Sequence, residues 1–188
     1  TASISGGNNT LSTAEGSDLV NINGGTNSII TSSGNDTINV SGGTNHIRTQ
    51  IDADTITISG GTNTILTGGG DDIVTMTAGI NNLSTGDGND TITAAGGASN
   101  VDIRTLDAGD GLDTLRVIST GTVALPTAQN VENIFISDTI HQSLDFSFSS
   151  SLTGIELNSG TTINGSTLTT TLGRGQKLTL NGLTDGDT

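Results

Sequence analysis

Small aliphatic side chains recur every nine residues through the first part of the chain, with polar residues between them. The ninefold register runs from Ile4 to Asp102, with Gly usual at the fourth position, a polar residue at the sixth and an aliphatic residue at the eighth. Residues two apart on a strand face the same side, so this spacing predicts short strands joined by glycine turns around a narrow interior. The eighth-position residues are Leu11, Val20, Ile29, Ile38, Ile47, Ile56, Ile65, Val74, Leu83, Ile92 and Val101.

The sixth position alternates between an acid and an amide, so the full repeat is a pair of nonapeptides. If two nonapeptides form one coil, odd and even turns lie on opposite edges of a parallel, all-β solenoid. One edge then carries a column of carboxylates and the other a column of amides. The acidic positions are Asp18, Asp36, Asp54, Asp72 and Asp90, and the amide positions are Asn9, Asn27, Asn45, Asn63 and Asn81, with Ser99 ending that series.

The carboxylate column predicts bound calcium. Neighbouring parallel strands lie about 4.8 Å apart, and two carboxylates at that distance repel by roughly 1 kcal/mol in water and more in a lower dielectric. A divalent cation between the turns reverses this repulsion, and Ca²⁺ accepts six to eight oxygen ligands in flexible geometry. The chain has no cysteine and no column of histidines, which argues against zinc or copper. Amides can stack neutrally, so we expect little or no metal on their edge.

Two segments, 68–74 (GGGDDIV) and 86–92 (GDGNDTI), resemble the RTX nonapeptide, G-G-x-G-x-D-x-(aliphatic)-x. The resemblance covers residues 4–116 and implies a right-handed parallel β-roll that holds several Ca²⁺ ions. Carried over by position, it implies that the metal is held by Asp18, Asp36, Asp54, Asp72, Asp90 and Asp113, by the turn glycines Gly16, Gly34, Gly70, Gly88 and Gly111, and by the neighbouring turn residues Asn35, Asp71, Asp87, Asn89 and Asp110.

Two departures from the pattern affect particular turns. Asp52 stands where the turn glycine belongs, which weakens the expected site beside Asp54. Five extra residues, 103–107, interrupt the register before Asp113. The Asp113 turn can still bind an ion, but not necessarily in line with the column.

The nonapeptide fades after Val117, so the chain divides into a β-roll over residues 1–116 and a β-rich continuation over 117–188. Segments 130–136, 153–157 and 176–180 share an aliphatic pattern and recur at intervals somewhat longer than two nonapeptides. This pattern predicts either a wider solenoid or a small β-sandwich. The style of the segments is similar to Gram-negative surface-layer proteins, which join RTX rolls to β segments rich in Thr, Ser and Asn.

The net charge of −14 disfavours binding to nucleic acid or anionic membrane. No apolar run approaches the roughly 18 residues that span a bilayer. His46 and His141 have no identifiable nucleophile partner, and the paired acids recur in every coil, so we predict a protein that is not an enzyme. The pattern is already under way at Thr1, and we expect the chain to be a segment of a longer protein.

These features favour a calcium-binding structural module of a secreted bacterial surface layer. Charge repulsion would keep the chain loose in the low-calcium cytoplasm, and calcium outside would drive folding. The expected partners are calcium and either further copies in a lattice or neighbouring domains, and the resemblance suggests type I secretion. Two alternatives remain: a segment of a large RTX adhesin that binds glycans or ice, and the calcium-dependent roll of a secreted hydrolase.

Overall fold

The computed structural model describes residues 1–97, 100–118, 123–124, 128–137, 139–140, 144–145, 153–157, 162–163, 168–169 and 177–180. These residues form strands and turns, and none of them is helical. The same residues accordingly contain no helix with the length and apolar character needed to cross a membrane.

Two parallel sheets make up most of the described structure. Sheet A has ten strands, in the order β1 (Ala2–Ile4), β3 (Leu19–Ile22), β5 (Thr37–Val40), β7 (Thr55–Ile58), β9 (Ile73–Met76), β11 (Thr91–Ala94), β13 (Thr114–Ile118), β16 (Asn133–Ser137), β19 (Gly154–Leu157) and β22 (Lys177–Leu180). Sheet B has eight, namely β2 (Asn8–Ser12), β4 (Thr26–Ile30), β6 (Thr44–Ile51), β8 (Thr62–Gly69), β10 (Gly79–Asp87), β12 (Val101–Asp110), β14 (Val123–Ala124) and β15 (Ala128–Gln129). Two short pairs join β17 (Thr139–Ile140) to β20 (Thr162–Ile163) and β18 (Leu144–Asp145) to β21 (Leu168–Thr169).

Successive strands alternate between the two sheets, so the chain winds as a solenoid. In the first coils each strand pairs in parallel with the strand two nonapeptides later, as Leu19 does with Thr37. The strands are rich in Thr, Ile and Val, whose branched side chains suit a pleated, half-buried surface. The structure thus confirms the predicted all-β parallel solenoid with two nonapeptides per coil, and it places the acidic and amide turns on opposite edges.

The core is a narrow layer of aliphatic side chains between the two sheets. Ten of the eleven predicted eighth-position residues are buried, and Leu11, in the first coil, is partly buried. The next inward positions on sheet A, such as Ile22, Ile58 and Met76, are also fully buried. Because each side chain packs against its equivalents one coil away, the aliphatic repeat is continuous along the axis.

The predicted register is wrong at its last coil. Leu83 pairs with Leu106 and not with Val101. The register shifts by one residue between Asn81 and Asn82, where β12 bulges at Arg104, and the other additional residues precede the strand. A β-bulge inserts one extra residue into a strand and thereby changes which of the following side chains face inward. Val101 is therefore buried nearer the start of its strand, opposite Gly79.

The amide series consequently ends one coil sooner than predicted. Ile103 takes the place beside Asn81 in the last coil and is fully buried. Ser99, the residue expected to end the series, lies outside the described residues. An aliphatic side chain at that level offers neither a donor nor an acceptor to continue the amide column.

Sheet A continues past the nonapeptide region in wider coils. Thr114 pairs with Asn133, Asn133 with Gly154, and Gly154 with Lys177, so these three coils lengthen from 19 to 21 to 23 residues. Every one of these pairings is parallel. Of the two structures expected for residues 117–188, the described strands follow the wider solenoid, and the predicted longer intervals are confirmed.

Candidate metal centre

The acidic column lies where the chain passes from sheet B into sheet A, immediately before the sheet A strands. The aspartates of this column face inward: Asp36, Asp54, Asp72 and Asp90 are at most 2% exposed, and Asp113 is 0% exposed. Only Asp18, in the first complete turn, is partly exposed, and it lies 3.8 Å from the terminal amino group. The column is thus part of the interior and not a solvated acidic face.

One oxygen of each buried carboxylate is satisfied by the turn before it. The backbone N–H of Asp36 donates to Oδ1 of Asp54 at 2.7 Å, and Asp54 donates in the same way to Asp72 at 2.8 Å. The pattern begins at Asp18 and reaches Asp113. Each step joins residues one coil apart, so the side chains and the backbone form a single ladder along the axis.

The second carboxylate oxygen has no partner. Oδ2 of Asp36, Asp54, Asp72, Asp90 and Asp113 is inaccessible to solvent and accepts no hydrogen bond. A buried acceptor left unpaired costs about 1–3 kcal/mol, and more when it is charged. Five such oxygens in line, on adjacent coils, make a row of negative charge that only a cation or a proton can offset.

Burial raises the pKa values of four of these acids, and neighbouring carboxylates add to the rise. The pKa of Asp54, Asp72 and Asp113 is raised to about 6 in each case, chiefly by desolvation. Burial also raises the pKa of Asp90. A pKa of about 6 leaves Asp54, Asp72 and Asp113 largely ionised at neutral pH, so protonation does not remove their charge under ordinary conditions.

A row of buried threonines lies beside the acids. Burial raises the pKa of Asp54 despite the nearby Thr49 hydroxyl, which offsets part of the rise. That hydroxyl has a single hydrogen, which is directed at the carbonyl oxygen of Thr67, 3.0 Å away. Thr67 donates in turn to the carbonyl of Thr85 at 2.8 Å. Each threonine hydroxyl has one hydrogen, so a threonine that donates to the carbonyl of the next coil leaves Oδ2 of the neighbouring acid without that donor.

The turns before the acids bring backbone oxygens close together. Gly16, Gly34, Gly70, Gly88 and Gly111 all have positive φ, between 103° and 153°. A side chain at Gly88 would overlap the carbonyl oxygen of Gly70, and one at Gly111 would overlap that of Gly88. Only glycine permits such an approach at this backbone angle. Carbonyl oxygens of one turn thus face the next turn.

The remaining predicted ligands lie on the outside of the same turns. Asn35, Asp71, Asp87, Asn89 and Asp110 are exposed. Asp71 Oδ1 accepts the backbone N–H of Asn89 at 2.8 Å, and Asn89 Oδ1 accepts the N–H of Leu112 at 3.0 Å. These two side chains already brace consecutive turns. In the described part of the chain, no three acidic or histidine side chains converge on one point, so an ion would need carboxylates and carbonyls from two turns.

Both departures noted in the sequence leave the column intact. Asp52 adopts the conformation of a turn glycine, with φ of 75°, and its Oδ2 accepts the N–H of Gly34 at 2.9 Å. Asp54 keeps its place in the ladder. Asp113, whose alignment the sequence left open, lies in line with the column, because the backbone N–H of Asp90 donates to its Oδ1 at 2.8 Å. The additional residues of that coil are absorbed on the sheet B side, before the acidic turn is reached.

The amide edge satisfies itself. Nδ2 of Asn27 donates to Oδ1 of Asn45 at 2.8 Å and to the carbonyl of Gly24 at 3.0 Å. Equivalent bonds join the amides from Asn9 to Asn81 at 2.8–2.9 Å. The predicted neutral amide column is confirmed. His46, on the outer face of β6, accepts a bond from Arg48 at 3.2 Å, and His141 lies outside the described residues.

Comparison with protein families agrees with this geometry. A family model described as the RTX calcium-binding nonapeptide repeat (4 copies) matches residues 5–29, 21–56 and 77–98. The chain carries RTX repeats. RTX nonapeptide repeats bind calcium ions. The family model does not match residues 57–76. Asp72 nevertheless takes the same place in the acidic column as its neighbours.

No curated protein and no solved structure matches the chain.

One member of the acidic column was missed by sequence reasoning. The N–H of Asp113 donates to Oε2 of Glu132 at 2.8 Å, and Glu132 is 7% exposed. Glu132 lies beyond the nonapeptides and two residues after Asn130, which has a positive φ of 54°. The available signal in the sequence is a residue that tolerates positive φ, followed two places later by an acid. This pattern is too short to be recognised without the structure.

Proposed function

We propose that Ca²⁺ ions bind between successive turns of the Asp18–Asp113 edge and that the solenoid folds around them. The observation that carries this proposal is the row of five buried, unpaired Oδ2 atoms. In the absence of metal, each is a buried carboxylate oxygen with no donor. Carboxylates from two turns, with the carbonyl oxygens of the intervening glycine turn, supply the hard oxygen ligands that Ca²⁺ prefers.

Calcium bound in this way contributes directly to the free energy of folding. The unfolded chain lacks the stacked turns, so the ions bind the folded state alone. Each site adds about 2.7 kcal/mol when free calcium is one hundred times the dissociation constant. Several sites in one column therefore make folding steeply dependent on calcium concentration.

The module is best accounted for as a structural part of a secreted bacterial surface layer and not as an enzyme. Support comes from the RTX repeats, the acidic composition and the surface-layer style of the later segments. Calcium outside the cell would fold the chain after type I secretion, and folded modules would then join into a lattice.

Calcium titration followed by far-UV circular dichroism tests the binding proposal. Wild-type protein should gain β signal cooperatively with calcium and lose it in chelator, and magnesium should be a poor substitute. Asp72→Asn should raise the calcium midpoint by about tenfold, the effect of roughly 1.4 kcal/mol. Asp102→Asn removes the same charge from a partly exposed site beside Arg104 and should leave the midpoint unchanged. A chain that is fully ordered in chelator and binds no ions would end the proposal.

Electron microscopy tests the surface-layer role separately. Purified protein in calcium should form ordered sheets or filaments that dissolve in chelator. A calcium-folded chain that stays monomeric at high concentration would favour an adhesin segment or the roll of a hydrolase, and it would leave the calcium column untouched.

A further inference from the structure

The acidic ladder extends one coil beyond the nonapeptide repeats. Asn133 pairs with Thr114, which places Glu132 at the same level of its coil as Asp113. The backbone N–H of Asn133 donates to the carbonyl of Asp113 at 2.9 Å, just as the N–H of Thr114 donates to the carbonyl of Asp90. The chain therefore enters β16 in the same way as it enters the strands of the roll.

Glu132 performs the same structural role as an aspartate of the column. Its Oε2 accepts the N–H of Asp113 at 2.8 Å, the distance found for the step from Asp90 to Asp113. Asn130 stands two residues before Glu132, where Gly111 stands before Asp113, and both have positive φ. Asparagine tolerates this conformation better than most residues. The Asn130 side chain also donates to Asp107 at 2.7 Å, which fixes the turn against the preceding coil.

Between these two turns lies a buried carboxylate oxygen that has no hydrogen-bond donor. Asp113 is fully buried, and its Oδ2 has no hydrogen-bond partner. The carboxylate of Glu132, itself only 7% exposed, lies on one side of Asp113, and that of Asp90 lies on the other. Both acids border Asp113 through its ladder bonds, and neither can donate a proton to it when ionised. This is the arrangement found at each level of the Asp column.

The middle residue of this turn also differs from its equivalents in the turns of the roll. Its middle residue, Val131, is buried, whereas Asn89 and Leu112 are exposed at the equivalent position. The turn is thus anchored by an aliphatic side chain, and Glu132 is the one acid within residues 128–132. Packing holds the turn while the carboxylate remains available to an ion.

We propose that a further Ca²⁺ ion binds between the Asp113 and Glu132 turns, with Glu132 as the ligand supplied by the first wide coil. This inference rests on the proposed calcium column and goes beyond it in residues and in consequence. The ion joins the last nonapeptide coil to the wider coils of sheet A, so calcium stabilises both parts of the solenoid and not the repeats alone.

Native mass spectrometry of the full chain in calcium tests the site by counting ions. Glu132→Gln keeps an amide oxygen that can accept the N–H of Asp113, and it should bind one ion fewer than wild type. Asp102→Asn is the charge-matched control and should bind the full number. If Glu132→Gln binds the wild-type number while Asp72→Asn binds fewer, the Glu132 site is refuted and the calcium column stands. If the wild type binds no calcium, both proposals fall.

Hydrogen exchange on the wild-type chain provides a test that needs no variant to fold. A peptide covering residues 130–137 should gain protection when calcium is added to chelated protein, as a peptide covering residues 87–94 should. Equal exchange of the 130–137 peptide with and without calcium, alongside a change in the 87–94 peptide, would overturn the proposed site while leaving the column in place.

Discussion

The two edges of the solenoid have the same coil spacing, and their Asn and Asp side chains have nearly the same shape. They differ in hydrogen bonding, because the amides satisfy one another and the carboxylates do not. On the amide edge, Asn45 both donates to Asn63 and accepts from Asn27, so the ladder closes on itself. On the acidic edge, the side chain of Asp54 only accepts: the backbone N–H of Asp36 satisfies one oxygen, and the other is left unpaired. The demand for metal thus arises from the balance of donors and acceptors, because the coil spacing is the same on both edges.

Exchanging the chemistry of the edges should have the largest effect. Asn63→Asp places a buried carboxylate at a position that now donates to Asn81 and to the carbonyl of Gly60. Both donations are lost, and a charge is buried with only the Asn45 amide left to donate to it, which costs about 3–5 kcal/mol. Urea unfolding in saturating calcium measures this loss. Asn63→Ser, which keeps a donor and adds no charge, should cost distinctly less, and equal losses would contradict the explanation.

Acid should substitute for calcium in part. The pKa values of Asp54, Asp72 and Asp113 are raised from 3.8 to about 6 by burial in the metal-free fold. The folded state therefore binds more protons than the unfolded state between these values. Metal-free stability should be highest below about pH 4 and should fall as the pH rises through about 6. Thermal melts in chelator across this range test the sign. A chelated chain that becomes more stable from pH 4 to pH 7 would contradict it.

Single substitutions on the two edges should separate calcium affinity from general stability. Asp36→Asn removes a proposed ligand and should raise the calcium midpoint about tenfold, or roughly 1.4 kcal/mol. Asn27→Ala removes amide hydrogen bonds and should raise it less, through the weakened fold alone. Calorimetric titration gives both values. Equal shifts would mean that the acidic edge has no privileged part in binding.

The smallest effect is expected at Asp52. Asp52→Gly removes a carboxylate that bonds to Gly34 but relieves a non-glycine residue at φ of 75°. These contributions oppose each other, so stability should change by less than about 1 kcal/mol. Chemical denaturation in calcium provides the measurement. A large loss would show that the Asp52 side chain itself takes part in the metal centre.

The repeating features of this protein could be predicted because each is encoded locally. The ninefold aliphatic spacing predicted that residues such as Ile38 and Ile56 lie in the core. The alternation of Asp and Asn predicted that the acidic turns and the amide turns lie on opposite edges. The longer intervals of the later aliphatic segments anticipated the pairing of Asn133, Gly154 and Lys177. In a repeat, the sequence shows which residues are neighbours in space, because residues at the same position of successive coils stack on one another.

Other features depended on the tertiary structure, because they result from competition between coils. The extra residues before Asp113 could have displaced it, but the bulge at Arg104 absorbs one of them on the opposite sheet and keeps Asp113 in line. The same bulge allows Val101, Ile103 and Leu106 all to be buried, which no fixed period describes. Glu132 joins the column only because its turn stacks on that of Asp113. The sequence by itself determined the repeat, the two chemically distinct edges and the kind of metal. Stacking decided which residues share a level and left one oxygen of each buried acid without a donor, since that depends on the neighbouring coil.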